Sequence, residues 1–206
     1  MKTTSRASHI LDQCLEKYHS NQPFLLGIDG LSGSGKTTLT AQLQELCLLR
    51  NIPVTIIHMD DHIVPRKQRY DTGEAQWCEY YYRQWDRLRW RNLLQGFRKP
   101  IDQLIQLEYY QKEWDEYVIR NVSLSPQNIV MVEGVFLQRE EWRSFFDYVV
   151  YLDVDRITRN DRVLERDTYI GDMDERHAKY LLRYWPAEDY YVEHVQPKAL
   201  ADMVIS

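Results

Sequence analysis

The chain has little of what several protein classes require. Its 206 residues include three cysteines, at 14, 47 and 78. An odd, scattered set without Cys-x-x-Cys spacing excludes a disulfide framework or a thiolate zinc site and points to free thiols in a reducing compartment. The six histidines show no metal-ligand spacing either. No apolar run approaches the roughly 18 residues that cross a membrane, and the polar start Met1-Lys2-Thr3-Thr4-Ser5-Arg6 lacks the apolar core of a signal peptide. A cytoplasmic protein without a membrane partner is expected. Positive charge is not in excess: the formal net charge is −5, so nucleic acid is not an expected partner. Repeats, low-complexity tracts and linkers are lacking too, and a single domain over 1–206 follows.

Against that background one stretch stands out. Gly30-Leu31-Ser32-Gly33-Ser34-Gly35-Lys36-Thr37 has the spacing G-x-x-x-x-G-K-T. An apolar run ending at Asp29 precedes it. Thr38 follows, opening a run in which Leu39, Leu43, Leu46 and Cys47 recur at helical spacing. The glycines let the backbone aim the N–H groups of Gly33 to Thr38 at phosphate oxygens. Lys36 can reach β- and γ-phosphates, the Thr37 hydroxyl is placed to ligate Mg²⁺, and the helix that starts here turns its positive end toward the anion. A plain strand-to-helix turn needs neither Lys36 nor Thr37. ATP with Mg²⁺ is the expected ligand.

The rest of the chain alternates. Helix is expected over 5–19 and 37–50, and strand at 24–29 and 54–59. Residues 62–76, polar and basic with Arg66, Lys67 and Arg69, read as loop. The segment 77–95 reads as one helix with the stripe Trp77, Tyr81, Trp85, Leu88 and Leu93. A hairpin within about 99–128 follows, then strands at 129–134, 148–153 and 203–205, separated by helix over 156–167 and 174–194. This pattern predicts an α/β fold, a parallel sheet with helices on both faces. Ligands bind such sheets beyond the carboxyl ends of the strands, where Gly30, Asp60, Glu133 and Asp153 all stand.

Phosphoryl transfer to a hydroxyl asks for a carboxylate that takes the acceptor's proton. Asp60 is the candidate base, and Asp61 the candidate to orient the acceptor or hold a metal-bound water. The competing reading of the pair is turn chemistry or capping. Glu133 is the candidate Mg²⁺ ligand beside Thr37. Arg159, Arg162 and Arg166 share one helix face, which is a solvated surface unless it faces a triphosphate. The aromatic stretch reads mainly as core, with Tyr80, Tyr82 and Trp90 as the rings able to stack on a planar substrate. His62 is a candidate acceptor contact.

The order phosphate loop, Asp60, aromatic segment, Val132-Glu133-Gly134, Leu152-Asp153-Val154-Asp155 and Arg162 to Arg166-Asp167, then Pro197-Lys198 with Ala201-Asp202, resembles the uridine kinase and phosphoribulokinase group of P-loop kinases. Met59-Asp60-Asp61 followed by Pro65 is similar to the nicotinamide riboside kinase form of that segment. The resemblance implies the three-layer P-loop NTPase fold, with a five-stranded parallel sheet in the order 2-3-1-4-5. It also implies a small acceptor-side hairpin over about 99–128 and a lid over about 156–178. It places Asp60 on the family's base, Glu133 on its acid near Mg²⁺, and Arg162 and Arg166 in its lid. Departures fall on the acceptor side. Gly171-Asp172-Met173 stands where uridine kinases carry Arg-Gly-Arg, with Arg176 as the replacement. Glu108-Tyr109-Tyr110-Gln111 lacks the uracil-reading pattern, which leaves Tyr109 as a substrate candidate. Glu79 and Asp86 are nearest to the acid that holds ribose hydroxyls. The expected activity is transfer of the ATP γ-phosphoryl to a hydroxyl of a nucleoside or a related ribosyl or sugar compound. A pantothenate or other metabolite kinase and a non-catalytic ATP-binding regulator are the alternatives, and homo-oligomerisation is left open.

Overall fold

The computed structural model describes residues 6–206; Met1–Ser5, with the first residue of the expected opening helix, lie outside the described residues. In chain order the elements are α1 (Arg6–Lys17), β1 (Phe24–Gly30), α2 (Lys36–Leu49), β2 (Val54–His58), α3 (Arg66–Arg69), α4 (Gln76–Arg83), α5 (Arg87–Phe97), β3 (Gln103–Gln111) and β4 (Glu116–Leu124). Then come β5 (Ile129–Gly134), β6 (Tyr148–Leu152), α6 (Arg156–Arg166), α7 (Met173–Lys179), α8 (Trp185–Val195), α9 (Pro197–Leu200) and β7 (Met203–Ile205). A π-helical turn, Tyr180–Tyr184, joins α7 to α8.

Strands β2, β5, β1, β6 and β7 lie side by side in that order and pair in parallel. Counting only the strands of this sheet, the order is 2-3-1-4-5. β3 and β4 form a separate antiparallel pair. Side chains alternate across a strand, so β1 sends Phe24, Leu26 and Ile28 to one face and Leu25 to the other. The first face packs on α1 and α2 through Ile10, Leu11, Cys14, Leu39, Leu43 and Cys47. The second packs on α4, α5 and α8 through residues such as Tyr81, Trp90, Phe97 and Tyr191. Burial pushes the Cys14 thiol up to about 12 and the Cys47 thiol up to about 11, so both behave as small apolar core residues.

Two local expectations are corrected. The segment 77–95 is two helices, because Asp86 caps a new one by accepting the Arg89 N–H at 2.9 Å. The restart changes the helical phase. Leu88, on the expected stripe, is 68% exposed, while Trp90, Leu94 and Phe97 are buried. Asp86 is thereby a cap rather than a ribose ligand. Within 62–76 the short helix α3 follows Pro65.

Candidate active site

Register assembles the acidic end of the sheet. The β2–β5 pairing sets His58 beside Glu133, and β1–β5 sets Asp29 beside Gly134. Beyond β2 the chain turns through Met59–His62 and delivers Asp60. Gly134 makes room for that turn: a Cβ on it would lie 2.7 Å from the Met59 Cβ. Gly134→Ala is therefore expected to cost about 1–3 kcal/mol in stability and to lower kcat by displacing Asp60. Urea denaturation alongside steady-state kinetics checks both; full stability with unchanged kcat would show that Met59 moves freely.

The phosphate loop curls between β1 and α2. Gly33 is required there twice over, by its φ of 77° and because an added Cβ would meet the Arg159 carbonyl oxygen at 2.6 Å. Lys36 Nζ donates to the Gly30 and Leu31 carbonyl oxygens at 2.8 and 3.1 Å. Burial lowers its pKa, opposed by the charges of Glu133, Asp60, Asp29 and Glu188. Thr37 Oγ1 donates to both Glu133 carboxylate oxygens, at 3.2 and 3.3 Å, and His58 Nδ1 lies 2.7 Å from Glu133 Oε1. Burial would raise the Glu133 pKa, but the His58 hydrogen bond and the Lys36 charge hold it below the usual range. The same hydrogen bond raises the His58 pKa. An ionised carboxylate touching a hydroxyl at the loop fits Mg²⁺, which takes one or two protein oxygens and fills the rest of its octahedron with water and phosphate.

Two supports of the loop were not visible in the sequence. Glu188 on α8 accepts the Ser32 N–H at 2.8 Å and the Arg159 guanidinium at 2.9 Å, with both side chains buried. The Ser32 N–H is thus engaged by Glu188. Asp29, fully buried, accepts the Tyr191 hydroxyl at 2.5 Å, the Gly30 N–H at 2.8 Å and Gln138 Nε2 at 3.0 Å. Burial raises its pKa against those hydrogen bonds. Glu188→Ala leaves Arg159 buried without its partner, so a loss of about 3–5 kcal/mol is expected, with weaker nucleotide binding as Ser32 is released. Denaturant unfolding and nucleotide calorimetry test this. A loss below about 1 kcal/mol would mean that Arg159 finds another partner.

Asp60 joins two cavities. One, of about 680 Å³, is lined by Gly33 to Thr38, Glu133, Arg162 and Arg166; the other, of about 410 Å³, extends under α3, α7 and the β3–β4 hairpin. Asp60, Ser32, Tyr80 and Arg166 line both. Asp60 is open to this space yet walled by protein, and its pKa is raised, first by burial and then by Glu133, while Lys36 and Lys112 oppose the shift.

The remaining predicted residues divide. Arg162 Nη1 donates to the Gly33 carbonyl at 3.1 Å, and Arg166 pairs with Asp167 at 2.6 Å. Asp61 is exposed and lines neither cavity. Glu79 is buried, spent on Arg183 at 3.0 Å and on the Thr72 N–H and hydroxyl; it holds α4 to the π turn and is not a ribose ligand. Arg176 donates to the Leu164 and Asp172 carbonyls and lies outside both cavities. His62 is buried, with Nδ1 2.7 Å from the Glu108 carbonyl oxygen and its ring against Trp90 and Tyr109. His62 and Trp90 border a smaller cavity of about 130 Å³ on the far side of the turn, and Tyr109 lies under Arg120. Of the candidate stacking rings only Tyr80 reaches the cleft, because Tyr82 bonds Tyr190 at 2.7 Å on the outer surface. Asp153 pairs with Lys198 at 2.5 Å.

A parallel sheet in this order, with the loop, Thr37–Glu133 and a carboxylate across the cleft, defines a P-loop kinase. The AAA domain family model matches residues 26–182. A solved structure described as a possible uridine kinase from Bacillus stearothermophilus is 40% identical, superposes with a TM-score of 0.81 and covers 100% of both chains. The uridine kinase of Lactobacillus johnsonii is 26% identical over 90% of this chain and 87% of its own length. The uridine-cytidine kinase B of Dictyostelium discoideum is also 26% identical, over 91% of this chain and 76% of its own. The chain belongs to the uridine kinase-like family of P-loop kinases, phosphotransferases with an alcohol group as acceptor.

Proposed function

We propose that this chain transfers the γ-phosphoryl of ATP to a hydroxyl of a nucleoside or a related ribosyl or sugar compound. The observation that carries the reading is Asp60, which lines both the phosphate-loop cavity and the one beside it. ATP phosphates lie along Gly30–Thr38, with Lys36 leaving its loop carbonyls for the β- and γ-oxygens. Arg162 and Arg166 neutralise charge from the lid, residues 156–178. Thr37 and Glu133 would hold Mg²⁺, which supplies charge neutralisation at the β- and γ-phosphates. Asp60 takes the acceptor's proton as the new P–O bond forms.

The raised Asp60 pKa gives this reading a pH signature. A base must be deprotonated, so activity is lost as pH falls through the folded-state value, which lies above the ordinary Asp value of 3.8. The kcat/KM profile for the acceptor is expected to fall tenfold per pH unit below that midpoint, and Asp60→Asn should flatten this limb. A wild-type profile level through the acid range would count against Asp60. The direct test is a Mg-ATP assay across nucleosides, nicotinamide riboside, pantothenate and sugar phosphates.

A further inference from the structure

The acceptor-side cavity is far more basic than a neutral acceptor requires. Its lining includes five cations, Arg66, Arg69, Lys112, Arg166 and Lys179, against two acids, Asp60 and Asp167. Asp167 is satisfied by Arg166 and by the Tyr180 hydroxyl. That leaves four cations facing the one carboxylate that acts as base. They come from α3, the hairpin turn and the end of α7, elements far apart in sequence that only the fold brings together.

The side-chain hydrogen bonds of the two arginines go to neutral groups. Arg69, 6% exposed, donates to the Val64 carbonyl at 2.7 Å and the Tyr110 hydroxyl at 3.1 Å. Arg66 donates to the Lys112 carbonyl at 3.0 Å. Lys112 lies over the Tyr169 ring and Lys179 over that of Tyr70. Asp115, at the hairpin turn, takes the Arg66 backbone N–H and the Tyr110 hydroxyl, each at 2.8 Å; these bonds, and then the charges of Arg66 and Arg69, lower its pKa, though it ion-pairs with neither guanidinium. One acid near two guanidiniums, with Lys112 and Lys179 beside them, leaves a surplus of positive charge that an anionic ligand would neutralise. Burial alone would raise the Tyr70 phenol, yet Lys179, Arg183 and Arg69 together lower its pKa, so the local field is positive. The ATP phosphates do not account for this charge. They have Lys36 and Arg162 of their own, and of the loop residues only Ser32 reaches this cavity.

We propose that the acceptor is itself an anion, a hydroxyl compound carrying a phosphate monoester whose charged end sits among Arg66, Arg69, Lys112 and Lys179 while its free hydroxyl meets Asp60. A dianion with several oxygens suits guanidinium and ammonium donors converging from different elements, whereas a neutral nucleoside offers them hydrogen-bond acceptors but no compensating charge. The inference rests on the kinase reading. The terminal P–O bond of ATP breaks, a P–O bond forms to the acceptor oxygen, its proton passes to Asp60, and ADP leaves.

The test separates binding from transfer. The full chain, saturated with Mg²⁺ and a non-hydrolysable ATP analogue, is titrated calorimetrically with ribose 5-phosphate, fructose 6-phosphate and glycerol 3-phosphate, with their unphosphorylated parents, and with uridine and glycerate. At least one phosphate ester should bind about tenfold or more tightly than its neutral parent. Lys112→Met and Lys179→Met, both at the cavity edge, should each weaken it about tenfold without changing ATP-analogue affinity. Uridine or glycerate binding more tightly than every phosphate ester, or variants that leave the preference intact, would overturn the proposal. A phosphate ester that binds in this way but receives no phosphoryl group from ATP supports the anion site and refutes the kinase reading.

Discussion

Asp60→Asn is expected to lower acceptor phosphorylation by about 10²–10⁴-fold, mostly in kcat, while ATP-analogue affinity stays within about twofold. The substitution keeps the side chain's shape and one acceptor oxygen but removes the charge that receives the proton. Lys36, proposed to meet the nucleotide phosphates, and Thr37 and Glu133, proposed to hold Mg²⁺, make no hydrogen bond to Asp60. Coupling between the sites runs through charge: Asp60 raises the Lys36 pKa against its burial, and Lys36 lowers that of Asp60. Removing one negative charge therefore makes the phosphate side slightly more positive, and analogue binding should not weaken. Calorimetry and transfer assays at saturating acceptor read the two quantities separately. Equal transfer by both proteins would remove Asp60 as base and turn attention to Asp61.

Lys36→Ala is expected to reduce transfer by about 10²–10³-fold or more, with a weaker hold on ATP. Lys36 is the charge inside the loop, and its resting bonds to the Gly30 and Leu31 carbonyls keep its ammonium beside the phosphate path. Truncation removes one donor from each carbonyl, and the Leu31 oxygen keeps the Ser34 N–H at 3.2 Å, so the structural cost is small where water can enter. The loop itself stays anchored by Asp29 with Tyr191 and by Glu188 with Arg159. Thermal unfolding should therefore shift little while kcat/KM for ATP collapses. Wild-type rates in this variant would remove the loop from the mechanism.

The parts of the site written in consecutive residues were legible. The loop spacing, the strand-end acids at 60 and 133 and the hairpin all depend on local pattern, and the sheet order came with the family resemblance. What depends on pairing across the chain was not. Glu188 lies 29 residues from Arg159, and Tyr191 lies 162 from Asp29; nothing local marks either pair. Glu79 looked available for ribose because its partner Arg183 sits 104 residues away. The break at Asp86 did have a local sign, an acid able to cap, but an apolar stripe ran across it. Leu88 fell on that stripe only by continuing the phase of a helix that ends at Arg83. The positive charge of the acceptor cavity was half visible, in Arg66 and Arg69, and became a feature only when Lys112 and Lys179 arrived beside them.

One measurement tests the kinase reading most directly: phosphorus NMR of the wild-type chain with Mg-ATP and the acceptor panel, followed as ATP is consumed. The prediction is one phosphorylated acceptor formed for each ADP, at a rate that Asp60→Asn lowers by about 10²–10⁴-fold. Nucleotide bound at the loop with no phosphorus transferred to any hydroxyl, or ATP turned over only to free phosphate at the same rate in wild type and Asp60→Asn, would contradict it.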